Sequence, residues 1–83
     1  MTLYLVHLPG YEGRAEFDLD ADWFQLSDDL FVFDADLTPS KLYHRIKWNL
    51  NHHGPLLVAP MDGRPKFKGM RPGALKWLQG VPH

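Results

Sequence analysis

The chain has 83 residues, 45% of them apolar, a formal net charge of −1 and no cysteine. That length fits one small domain that buries about 60–65% of its unfolded surface. Disulfides, thiolate metal ligands and cysteine nucleophiles are excluded, which suits a cytoplasmic setting.

In chain order, residues 2–8 (TLYLVHL) are an apolar run ended by Pro9-Gly10, which predicts a strand buried on both faces. Residues 14–20 alternate, with Ala15, Phe17 and Leu19 on one side and Arg14, Glu16, Asp18 and Asp20 on the other. This predicts a half-exposed strand with an acidic outer face. Trp23–Leu26 and Leu30–Phe33 are rich in aromatic and aliphatic residues around Ser27-Asp28-Asp29, the pattern of a hairpin. A main helix is expected over residues 39–52. Thr38 is its N-cap and Pro39 its first residue. Leu42, Ile46 and Leu50 form its apolar stripe, and Gly54-Pro55 its stop. Residues 55–61 (PLLVAPM) read as a second apolar strand, hydrogen-bonded over Leu56–Ala59. A basic loop over residues 62–71 leads to a short C-terminal helix, 72–79, opened by Pro72 and closed by Gly80. The expected fold is a single α+β domain over residues 1–83, with a mostly antiparallel sheet of four to five strands. If the strands flanking the main helix are parallel in one sheet, their crossover should be right-handed.

The charges are unevenly spread. Residues 1–40 hold nine acids against Arg14 alone (−8), and residues 41–83 hold eight bases against Asp62 alone (+7). Such asymmetry points either to an interaction surface or to halves that neutralise each other on folding. The basic half offers the best functional candidates. Arg64, Lys66, Lys68 and Arg71 are interleaved with Phe67, a composition suited to a phosphate backbone with a stacked base. Lys41, Arg45, Lys47 and Trp48 on the main helix would extend that patch if the two segments are neighbours.

Other chemistry has less support. Asp34 and Asp36, where a strand meets the main helix, have the composition of a divalent-cation site and equally of a helix cap. His44 is not at helical ligand spacing from His52 or His53, so no metal site is expected. His7 reads as a core or edge histidine. There is no nucleophile elbow and no phosphate-loop glycine pattern, and no cofactor is expected. No apolar run reaches the ~20 residues of a membrane span, and the N-terminus lacks the basic start of a signal peptide.

Residues 23–60 combine a hairpin, an acidic strand end, a Thr-Pro-Ser helix start and an apolar strand. In this pattern they are similar to the second half of ferredoxin-like domains, the small CRISPR-associated endonuclease family among them. That family begins with a βαβ unit whose first strand ends in aspartate, whereas here the first strand runs into His7 and Pro9. No catalytic residue carries across.

The sequence therefore predicts a small non-enzymatic protein with a basic helix-plus-loop face for nucleic acid or another polyanion. The alternative is a protein-interaction or regulatory module, or a homodimer, using the acidic strands as a contact face or nucleic-acid mimic. A metal-dependent nuclease using Asp34 and Asp36 is the third reading.

Overall fold

The computed structural model describes residues 2–17, 19, 21–50, 54–63 and 65–80. Strands β1 (Thr2–His7), β2 (Asp22–Ser27), β3 (Leu30–Ala35) and β4 (Leu57–Pro60) form one antiparallel sheet in the order β2-β3-β1-β4. Two helices complete the α+β fold, α1 (Pro39–Leu50) and α2 (Ala74–Gly80). No helix among the described residues is long and apolar enough to cross a membrane.

The expected hairpin is β2–β3, turning at Asp28-Asp29, with a register shift between Gln25 and Ser27 that makes Leu26 a bulge. β3 and β4 are both antiparallel to β1, which lies between them, so they run parallel to each other. The β3–α1–β4 connection is thus a split βαβ unit. β1 and β2 are parallel in the same way across β3, but their connection contains no helix or strand among its described residues.

Strand alternation sorts the core onto two faces. On one face Tyr4, Val6, Leu8, Phe31, Phe33 and Ala35 are buried against Leu42 and Ile46 of α1. On the other, Leu3 packs with Leu78, and Leu26 and Val32 pack with Ala74, closed by Met61, Phe67, Met70 and Trp77. α1 and the α2-plus-loop layer therefore lie on opposite sides of the sheet.

The strand predicted over 14–20 is absent among its described residues, although its alternation is real. Ala15 and Phe17 are buried beside α1 while Arg14 and Glu16 are exposed. Period two here marks an extended segment lying over a sheet, not a rung of it. Its anchor is Gln25, a buried polar side chain of β2. The Gln25 Oε1 accepts from Ala15 N–H at 3.1 Å, and Nε2 donates to the carbonyls of Gly13 at 2.7 Å and Asp28 at 3.3 Å. Phe17 then meets Phe31 and Phe33 edge-on, at 5.4 and 5.2 Å between centroids. Gln25→Leu is expected to cost about 1–3 kcal/mol in a denaturant melt, because a buried N–H and carbonyl lose their partner. Protease nicking within residues 11–17 should rise with it.

Two other boundaries move. β4 is an edge strand, so it is not buried throughout: Leu57 is 53% exposed. Met61 N–H donates to the Leu3 carbonyl at 2.9 Å, which extends the ladder one step. By antiparallel alternation Leu57 and Ala59 point their amides at β1, while Val58 and Pro60 point outward. α2 starts two residues later than predicted. Gly73 has φ +94°, outside the helical region, so Pro72-Gly73 forms a turn before Ala74.

Candidate nucleic-acid interface

α1 is fixed in rotation by its cap and by its apolar stripe. Thr38 caps it as predicted: its hydroxyl accepts from Lys41 N–H at 3.2 Å and its carbonyl from Leu42 N–H at 3.0 Å. The buried Tyr4 hydroxyl donates to the Leu37 carbonyl and sets where the chain enters the helix. With Leu42 and Ile46 locked into the core, helical periodicity turns Lys41, His44, Arg45, Lys47 and Trp48 outward, and all five are exposed.

Lys41, Arg45 and Trp48 share one stripe at i, i+4, i+7. Trp48 is 74% exposed, and no other Phe, Tyr or Trp among the described residues is exposed. His44 stacks on it, with 5.5 Å between centroids and 29° between planes. One turn round, the Lys47 ammonium lies 6.0 Å from the Tyr43 ring centroid. Lys47 and Trp48 belong to the patch predicted from sequence, whereas their ring partners Tyr43 and His44 do not. Their signal is the i, i+4 spacing of ring and partner. No acid occurs between Asp36 and Asp62 in sequence. None of Lys41, Arg45 and Lys47 forms an ion pair among the described residues.

The loop candidates are placed elsewhere. Lys66 and Lys68 are exposed, but on the face of the sheet away from α1. Phe67 packs into the core beneath them, so its ring serves the fold. Arg71 is tied down twice: its guanidinium lies 3.1 Å from Asp28 Oδ1, and its backbone N–H donates to the Leu26 carbonyl at 2.8 Å. Arg64 lies outside the described residues, as do His52 and His53. The single helix-plus-loop face is therefore corrected to two separate basic regions, because the sheet stands between them.

The acidic residues are divided as well. Asp28 takes Arg71, and Asp29 Oδ2 lies 3.4 Å from His7 Nε2 at the same end of the sheet. Asp28, Asp29 and Arg71 line a groove of about 720 Å³ between the hairpin turn and residues 69–72. Asp18 and Asp20 lie outside the described residues. Arg71–Asp28 joins a base of the second half to an acid of the first. Asp34 is fully buried in β3 whereas Asp36 is exposed beside Thr38 and Lys41. The two carboxylates do not open onto one solvent-accessible point. No group of three His, Cys, Asp or Glu residues suited to a metal ion occurs among the described residues.

The class defined so far is a small α+β domain with a basic, tryptophan-bearing helix on one face of a four-stranded antiparallel sheet. No family model, no curated protein and no solved structure matches the chain.

Proposed function

We propose that this chain is a small non-enzymatic binding protein that contacts nucleic acid or another polyanion through the outward face of α1. The supporting observation is the concentration of Lys41, Arg45 and Lys47 around an exposed Trp48, with no carboxylate paired to any of the three cations among the described residues. Unpaired cations on a rigid element form a steering surface for phosphates. A capped helix docked on a sheet fixes their backbone positions, so binding has to order side chains but not main chain. The loop cations Lys66 and Lys68 act at most as a second, separate contact on the far face. A cytoplasmic setting belongs to the same reading, since a cysteine-free chain needs no oxidising compartment to fold.

The test is a salt titration of affinity for a labelled oligonucleotide. Three phosphate contacts give a slope of log K against log salt of about −2 for a single strand and about −3 for a duplex. Over about 50 to 200 mM salt the single-strand value is a loss of roughly 20-fold. No binding of any oligonucleotide at the lowest salt would remove the proposal.

A further inference from the structure

We infer that α1 is built for single-stranded rather than duplex nucleic acid, with Trp48 as the platform on which an unpaired base stacks; this rests on the reading of α1 as a polyanion surface. Neutralising phosphates needs cations alone. It gives no reason to leave an indole in water, where its apolar area has no favourable contact. Every other Phe, Tyr and Trp ring in the chain is at least half-sheltered in one of the two cores or along α1.

The geometry around Trp48 is that of a half-finished stack. His44, one turn earlier, lies nearly parallel to the indole and covers one side of it. The indole is still 74% exposed, so its free surface is available to a second ring. A base in a single strand has free π-faces to offer, whereas a base within a duplex is already stacked above and below. Lys41 and Arg45 follow Trp48 along the same stripe, where a backbone leaving the stacked base meets positive charge. A cationic track beside an aromatic ring is the general arrangement for sequence-tolerant single-strand binding. An anionic membrane is less well suited. The apolar side of α1 is already buried in the core, so only Trp48 is left to enter a bilayer.

Four probes separate these ligands: a 12-nucleotide oligo-dT, a 12-base-pair duplex, inorganic polyphosphate and phosphatidylserine vesicles. Oligo-dT should bind more tightly than the duplex at equal salt and quench tryptophan fluorescence. Trp48→Ala should weaken oligo-dT binding by about 5- to 150-fold, leave polyphosphate affinity unchanged, and be partly rescued by Trp48→Phe. The indole is exposed, so the variant should fold, and a matching thermal melt verifies this. If the three polyanions bind alike and Trp48→Ala affects all or none of them, the surface is a general polyanion site and the single-strand assignment fails. Tighter binding of the duplex, or of the vesicles, also overturns it. If nothing binds at low salt, the reading of α1 fails together with it.

Discussion

Ile46→Ala is expected to lower the unfolding free energy by about 2–5 kcal/mol, the range for emptying a fully buried aliphatic site. Ile46 has no exposed surface and sits with Leu42 under Tyr4, Val6, Phe31 and Phe33. Those neighbours belong to two central strands and to α1, so collapse around the vacated volume would have to move a helix or bend the sheet. In a chain of this size the whole stability is of the order of 5 kcal/mol. The variant should therefore be largely unfolded or show a strongly lowered melting temperature. A nearly neutral result in urea denaturation would mean that the inward face of α1 is wrongly assigned, and the outward face with it.

Reversing charge on α1 is expected to have the second large effect. Lys41→Glu with Arg45→Glu removes two of three cations and sets two anions against the phosphates. Oligonucleotide affinity should fall by at least about 100-fold at low salt, since two charge-assisted contacts at about 1.5–3 kcal/mol each are lost. The salt slope should flatten by about 0.7 for each phosphate of a single strand that is no longer neutralised. Both residues are exposed and lack ion-pair partners among the described residues, so the melting temperature should hardly change. Lys66→Glu with Lys68→Glu, on the opposite face, is the control and should cost far less. Equal losses from both pairs would show that the ligand wraps around the sheet and that one face is not the site.

Local signals in the sequence locate most elements. Thr38-Pro39 encodes the start of α1 through capping chemistry that acts within four residues, and the structure uses it without change. Ser27-Asp28-Asp29 encodes the hairpin turn for a similar reason. The alternation read over residues 14–20 matches the burial of residues 14–17, but these residues join no strand ladder. Period two reports which side chains face a sheet, and it is silent on whether the backbone finds a ladder partner or is held by a side chain such as Gln25. The grouping of the basic residues differs from the expectation for another reason. Lys41 and Lys66 are both basic and exposed, as expected, but whether two exposed segments share a side depends on how strands are ordered. That order follows from β1 lying between β3 and β4, a long-range outcome with no local mark in the sequence. Phe67 beside lysines admits two readings, stack or plug, and the second core takes it as a plug.

The outward position of Pro60 bears on how the molecule avoids sticking to itself. An open sheet edge invites a second chain to add a strand, and repeated addition ends in fibres. β4 is the edge next to β1, is only four residues long, and turns just the amides of Val58 and Pro60 away from its partner. Pro60 has no N–H to offer, so within the strand an incoming chain finds a single donor, at Val58. The ring that leaves the β1 ladder undisturbed also blunts the growth front, and the exposed Leu57 beside it is left without the backbone template that would make it an aggregation seed.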